Sequence, residues 1–339
     1  MNKPKPTISV ALCTCNGSKY LQQQLDSLQA QTLSVDEIIC CDDQSTDDTE
    51  AIFLQWSTGF SGKTYVESNA KRLGPRQNFE KALNLCSGDL IFLCDQDDGW
   101  HSQKVQAMAT YMEAHPSADG LFCNGNLMDE NGKPLGETMW DALYFEGPLR
   151  MQATPDNLLY YLLANGNIAT GTALCIRKTT LSRVLPLFTG FDTWHDHWIA
   201  LVLAASGSLH FLDEPLLLYR VHGAQQVGFP GRGRSNPAFR QAVHETWLKR
   251  NDEDPTGLKT THLAWALLAW ERYAPVLRSR LADSRHLDYT FRKMQSDFRR
   301  YRRSHLRRLP YFPRKWKLLK HWLKGGEYLR IGWREVVSI

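Results

Sequence analysis

No run of about 20 consecutive apolar residues occurs in the 339-residue chain, so a membrane-spanning helix is not expected. The opening stretch MNKPKPTISVALCTCNG also lacks the apolar core of roughly 7–15 residues and the small-residue cleavage site of a signal peptide. No C-x-x-C pair exists among the eight cysteines, which disfavours a zinc site. Cys13, Cys15, Cys40, Cys41, Cys86, Cys94, Cys123 and Cys175 lie in or beside apolar runs and read as reduced thiols used as small core residues. These absences together point to the cytoplasm. No Walker A sequence is present, no G-x-G-x-x-G follows the first apolar run, and the first turn offers only Gly17. Dinucleotide binding and P-loop ATP chemistry are therefore disfavoured. Internal repeats are not apparent.

Charge of one sign is scarce in each part of the chain, although the formal net charge is only +4. Residues 1–239 hold 17 Lys/Arg against 26 Asp/Glu, a sum of −9, whereas residues 240–339 hold 23 against 10, a sum of +13. The two parts are thus expected to face different partners.

What is present begins as an alternation of short apolar runs and amphipathic stretches. TISVALC, EIICC, KTYVES and GDLIFLC read as strands, the first without the alternation of a half-exposed strand, as in a parallel sheet covered on both faces. Between them lie helical patterns. Tyr20, Leu21, Leu25 and Leu28 form one stripe, and Phe79, Ala82, Leu83 and Leu85 are expected inward on another. Ser45 or Thr46 is placed to cap the helix after the second strand. This β-α-β-α-β-α-β order predicts a doubly wound α/β unit. Short strands and loops follow to about residue 220, interrupted by one apolar helix over HDHWIALVLAASG (195–207). A Gly/Pro-rich linker (228–237) separates residues 1–227, the expected catalytic domain, from a helical basic region over 238–339, where Leu263, Leu267 and Trp270 share a stripe.

Polar clusters sit where the strands end: Thr14 to Asn16, Asp42 to Ser45, and Asp95 to Asp98. Ligands of open α/β sheets bind at those carboxyl ends, so three segments distant in sequence are expected to converge. Asp95, Asp97 and Asp98 repel one another unless a hard cation shares their charge. Mg²⁺ or Mn²⁺ takes oxygen ligands, and Mg²⁺ is commonly held by one or two carboxylates plus phosphates, which points to a diphosphate ligand.

The segments ISVALCTCNGSKYLQQQLDSLQAQT, EIICCDDQSTDDT, GPRQNFEKALNLCSGDLIFLCDQDDGWHSQKV, GTALCIRK and HDHWIALVLAASGSLHFLDEPLLLYRVHG, in that order, resemble glycosyltransferase family 2, of the GT-A fold. The resemblance covers about residues 7–225, and DQDDxW with HDxW and YRxHG is most similar to bacterial rhamnosyltransferase-type members. It implies a Rossmann-like mixed sheet flanked by helices and transfer of a sugar from a nucleoside diphosphate. It also implies roles. Thr14 and Asn16 would line the nucleotide pocket, and Asp43 would accept from a pyrimidine N–H. Asp95, Asp97 and Asp98 would serve ribose and metal, with either Asp97 or Asp98 as the direct metal ligand. Asp196 would be the catalytic base, at a position where His195 replaces the family's more usual Glu; Cys15 stands where an aromatic is common. Direct displacement assisted by one base implies inversion at the anomeric carbon. The Q-x-x-R-W signature of processive members is absent, implying single additions.

Further expectations attach to the flanking residues. Arg220 and His222 are placed to meet phosphate or metal, and Trp194 and Trp198 to form a sugar-stacking wall beside His197. The loop holding Gly171 and Thr172 is expected on the acceptor side. The basic, aromatic-rich tail suggests peripheral contact with the inner face of the plasma membrane, where a lipid-linked or saccharide acceptor would be met; nucleic acid is not expected. dTDP-rhamnose is the suggested donor, with UDP-glucose, UDP-galactose or UDP-N-acetylglucosamine as same-fold alternatives. A non-catalytic nucleotide-sugar-binding protein and a metal-dependent nucleotidyltransferase are the rivals from other classes. Intact Asp43, Asp97, Asp98 and Asp196 weigh against the former, and the HDHW and YRVHG segments against the latter.

Overall fold

The run ISVALCT forms β1 (Ile8–Thr14), buried along its whole length. It pairs in parallel with β2 (Glu37–Asp42) on one side and β4 (Leu90–Asp95) on the other, which explains why its apolar residues need not alternate. β3 (Lys63–Ser68) lies beyond β2 at the sheet edge and is only partly covered. The helices α1 (Leu21–Gln29), α2 (Thr49–Ser57) and α3 (Pro75–Leu85) make the crossovers. A computed structural model describes residues 5–143, 145, 150–151, 153–190, 193–223, 225 and 258–308.

After β4 the chain turns through the two-residue strand β5 (Gly99–Trp100), α4 (Lys104–Ala114), β6 (Gly120–Met128), β7 (Pro134–Thr138) and the short α5 (Met139–Ala142). Then come α6 (Leu158–Asn165), β8 (Leu174–Arg177), α7 (Leu181–Val184), α8 (His195–Ala205), β9 (Leu209–Arg220), α9 (Leu258–Arg280) and α10 (Arg285–Arg308). The sheet order is β3-β2-β1-β4-β8-β6-β9-β5, with β7 added to β6. β8 runs antiparallel to both β4 and β6, so the sheet is mixed, as the sequence leads one to expect. Thr14 pairs with Asp42 and Cys13 with Asp95, so β1, β2 and β4 end at one level.

Two local expectations need correction. Leu85 is 40% exposed, while Phe79, Ala82 and Leu83 are buried. At about 100° per residue, Leu85 falls well outside the arc those three share. Ser45 and Thr46 do not cap α2, which begins at Thr49. Asp42 captures Ser45 instead, accepting from its N–H at 2.7 Å and its hydroxyl at 2.6 Å, and Asn16 accepts from the Thr46 N–H at 2.8 Å.

All eight cysteines are free, and all but Cys15 are buried. The helix α8 is apolar all round because it is covered all round, by α3, α6, α9 and the sheet. Leu263, Ala266, Trp270 and Leu277 of α9 and Leu287, Met294 and Phe298 of α10 belong to the same core as the sheet. The stripe expected in α9 is therefore the face that packs inward, with Leu267 partly buried beside it. None of the described helices is long and apolar enough to cross a membrane.

Candidate active site

A cleft of about 830 Å³ opens at the common end of β1, β2 and β4. Thr14, Asn16, Asp43, Asp95, Asp97 and Asp196 all line it, so the three strand ends and the start of α8 converge there. Gly171, Trp194 and His222 line it as well.

Each carboxylate is held differently. Asp43 is 3% exposed and accepts from the Asn69 side-chain amide at 3.0 Å, the Leu73 N–H at 2.6 Å and the Gly74 N–H at 2.8 Å. Asn78 accepts from the same Asn69 amide at 2.8 Å, which fixes its orientation. On the neighbouring strand, the Thr14 hydroxyl donates to Asp42 at 2.7 Å. Asn16 takes the left-handed conformation, φ 50°, which asparagine tolerates better than most side chains. Asp95 has its pKa raised well above the ordinary carboxylate range, first by burial and then by repulsion from Asp98, Asp97 and Asp196. Asp97 faces His222, with 2.8 Å between Oδ2 and Nε2.

Asp98 does not line the cleft. It is 1% exposed, and its Oδ1 accepts from the Arg220 N–H at 2.9 Å. Burial, followed by repulsion from Asp97, pushes its pKa up to about 8. Between the two carboxylates left open by the sequence, Asp97 is the one that faces the cavity.

Arg220 also departs from its expected place. It is 1% exposed and donates to the Asp97 carbonyl at 2.8 Å, to the Asp129 and Glu130 carbonyls at 3.3 and 3.2 Å, and to the Gln23 side chain. Its guanidinium lies 4.5 Å from the Tyr20 ring centroid. Rather than reaching the cavity, it ties the acidic loop to β9. Trp198 is a core residue, fully buried, with its indole N–H donating to the Val184 carbonyl at 2.9 Å and its ring packed on Phe188. It sits two residues after Asp196 on a helix, about 200° round from it, and so forms no cleft wall. His197 and Thr172 likewise do not line the cleft: the His197 ring lies against Tyr273 of α9, and Thr172 is fully buried.

Asp196 occupies the first turn of α8, where the helix dipole favours an anion. Its Oδ1 accepts from the His197 N–H at 2.7 Å and its Oδ2 from the Gly171 N–H at 2.9 Å. A Cβ at residue 171 would come 3.0 Å from His195 Nε2 and 3.5 Å from the Asp196 Cβ, so this contact depends on glycine. His195 stacks on Phe79 with centroids 4.0 Å apart. Burial holds its pKa below the ordinary histidine value, opposed by Asp196 and reinforced by Arg76, and burial does the same to His197. A depressed folded-state pKa means stability that is present above the unfolded value, near 6.5, and lost as pH falls below it. For each such histidine the loss reaches about 1.4 kcal/mol per pH unit. We therefore expect the unfolding free energy of His195→Gln to fall less steeply than wild type between pH 6.5 and 5.5, by denaturant titration. Equal slopes would show that His195 charges as readily folded as unfolded.

Several cleft residues carried no signal that sequence reasoning used. Gln96 clasps Cys15 from both sides, accepting from its N–H at 2.7 Å and donating to its carbonyl at 3.1 Å. This needs Gly17, since a Cβ there would fall 2.1 Å from Gln96 Oε1. Tyr20, Phe79 and Arg72 line the cleft too, and Arg72 donates to the Cys15 sulfur. Tyr20 lies in an apolar stripe that reads as core, but it precedes α1 and turns to the cavity.

Comparisons with known proteins bear on the fold and the family. Residues 9–164 match glycosyl transferase family 2. An uncharacterized glycosyltransferase of Nostoc sp. (strain PCC 7120) is 27% identical over 223 residues, covering 64% of this chain and 65% of the relative. An uncharacterized protein of Mycobacterium tuberculosis (strain H37Rv) is 24% identical over 217 residues, 63% and 59% of the two chains. The matched part thus spans less than two thirds of these relatives' length. Among solved structures, S. aureus TarS 1-349 in complex with UDP-GlcNAc superposes with a TM-score of 0.51 at 17% identity, over 86% of this chain and 80% of that one. That likeness supports the GT-A type of fold, and the cleft lies at the strand ends of that fold.

Proposed function

We propose that the chain is an inverting glycosyltransferase that moves one sugar at a time from a nucleoside diphosphate to a saccharide or lipid-linked acceptor. The observation that carries this reading is the meeting of Asp43, Asp95, Asp97 and Asp196 in one cleft. Asp43, Thr14 and Asn16 form the nucleotide end, and Asp95 and Asp97 flank the sugar diphosphate. Asp196, anchored by two backbone N–H groups, keeps lone pairs for the proton of an acceptor hydroxyl. As that oxygen bonds to the anomeric carbon, its proton passes to Asp196 and the bond to the diphosphate breaks. Gly171 and Trp194 border the acceptor side.

A divalent cation suits the donor set. Asp97 and His222 present a carboxylate and an imidazole 2.8 Å apart. No group of three or more His, Cys, Asp or Glu arranged for a metal occurs among the described residues, so donor phosphates would complete the shell. Mg²⁺ or Mn²⁺ held by Asp97 and His222 would supply positive charge for the departing diphosphate.

A panel of nucleoside diphosphate sugars, with dTDP-rhamnose foremost and UDP-glucose, UDP-galactose and UDP-N-acetylglucosamine beside it, tests the reading by thermal shift with Mn²⁺ and with EDTA. A metal-dependent rise with one donor, roughly 2.7 kcal/mol of stabilisation at a hundredfold excess over Kd, is expected. No shift with any donor would sink the proposal. The basic tail expected to touch anionic lipid starts at Arg299, in the last turns of α10, and continues past residue 308, outside the described residues. Its contact with the inner membrane face is proposed on charge and aromatic content, and unchanged pelleting with anionic vesicles after truncation would refute it.

A further inference from the structure

Lys104 opens α4 and is completely buried. A lysine ammonium is rarely sealed in a core without partners that justify it. Here Nζ donates to the Thr172 carbonyl at 2.5 Å and lies 3.5 Å from the centroid of the Trp100 ring. Asp98 is buried nearby, and the two opposite charges favour each other. Lys104 therefore touches two loops that approach the cleft from different parts of the chain. One is the acidic loop after β4, through Trp100 at its end. The other is the 171–173 turn before β8, in which the residue next to Thr172 is Gly171, whose N–H holds Asp196 Oδ2.

We propose that Lys104 is a positioning residue that ties the leaving-group loop to the loop that orients Asp196, so that the two ends of the reaction keep a fixed separation. Lys104 does not line the cleft and would touch neither donor nor acceptor. Its influence would run through the Thr172 peptide to Gly171 and Asp196, and through Trp100 back to the loop that carries Asp97. An ammonium can serve a carbonyl and a ring face together, which is what Lys104 does here. The proposal rests on the glycosyltransferase reading for its consequence in catalysis, but the tether itself exists without any ligand.

The test uses the full-length protein with Lys104→Met, which keeps the stem and removes the donors, and Lys104→Gln, which keeps an N–H donor without the charge. Hydrogen exchange on the ligand-free protein reads the tether alone. Exchange at least tenfold faster in residues 167–173 and 94–100, with β1 to β3 still protected, is expected for Lys104→Met, and a smaller rise for Lys104→Gln. Unchanged exchange in both segments, or a uniform rise over the whole chain, overturns the tether. Steady-state transfer, with the donor that stabilises wild type, then reads the consequence. kcat is expected to fall about a hundredfold in Lys104→Met while UDP affinity by calorimetry stays within about threefold. A parallel loss of UDP affinity and kcat, or an unchanged kcat, overturns the positioning role. If Lys104→Met does not fold, Lys104→Gln carries both readouts with the same criteria. A wild type that transfers nothing would count against the functional reading alone, since the exchange result stands by itself.

Discussion

Asp196→Asn is expected to lower sugar transfer by about 10²–10⁴-fold, the usual contribution of a general base, while the donor binds within about threefold of wild type. The side chain keeps one carbonyl oxygen, so one of the two backbone N–H contacts, from Gly171 or His197, can persist. What disappears is a basic lone pair at the position facing the cavity. Donor binding draws on Asp43 and the strand-end loops, which this change leaves in place. Rates under saturating donor and acceptor, beside calorimetric donor affinity, check it. Turnover comparable to wild type would falsify the assignment of Asp196 as the base.

The second large effect concerns stability. Arg220→Met should cost about 1–3 kcal/mol, the range for taking a buried donor away from its acceptors. The guanidinium holds together the Asp97 carbonyl, the carbonyls of Asp129 and Glu130 and the Gln23 side chain, and methionine removes all of these donors at once. The Arg220 backbone N–H that serves Asp98 is untouched. Urea unfolding, with the slope compared to confirm that the same surface is exposed, gives the number. Stability within about 1 kcal/mol of wild type, combined with a tenfold loss of donor affinity, would return Arg220 to the phosphate-binding role that its sequence context suggests.

The contrast between Asp97 and Asp98 shows what could be read in advance. Parallel strands of matched length end together, so an apolar run followed by polar residues is enough to bring Thr14, Asp43 and Asp95 to one edge. Which of two adjacent carboxylates faces the cavity depends on β9, whose Arg220 N–H lies 122 positions away from Asp98 and draws it inward. No local pattern encodes that pairing. Trp198 was open to misreading for a related reason. An aromatic beside a candidate base suggests a sugar platform, but on a helix covered on all sides it is core. Lys104 did leave a trace. It is in step with Met108 and Met112, four and eight residues on, and all three are fully buried on the inner face of α4. A charged residue in register with an apolar stripe is a local conflict, and such conflicts gather at working parts of a protein.

The packing of α9 and α10 onto the body that holds the cleft has a consequence for how the chain matures on the ribosome. α9 packs on α8, Tyr273 lies against the His197 ring, and Tyr273 shares a 2.8 Å hydrogen bond with Thr193, just ahead of the turn that carries Asp196. β1 to β4 can pair as soon as they emerge, since all four lie in the first 95 residues. α8 cannot gain its full cover until residues 258–280 have been synthesised, at roughly 5–20 residues per second several seconds later. The nascent chain therefore pairs β1 to β4 early and carries an apolar helix with an open flank while the rest is made. A chaperone that shields such helices would find its substrate in that interval, and a nonsense codon before residue 258 would leave the flank exposed for good.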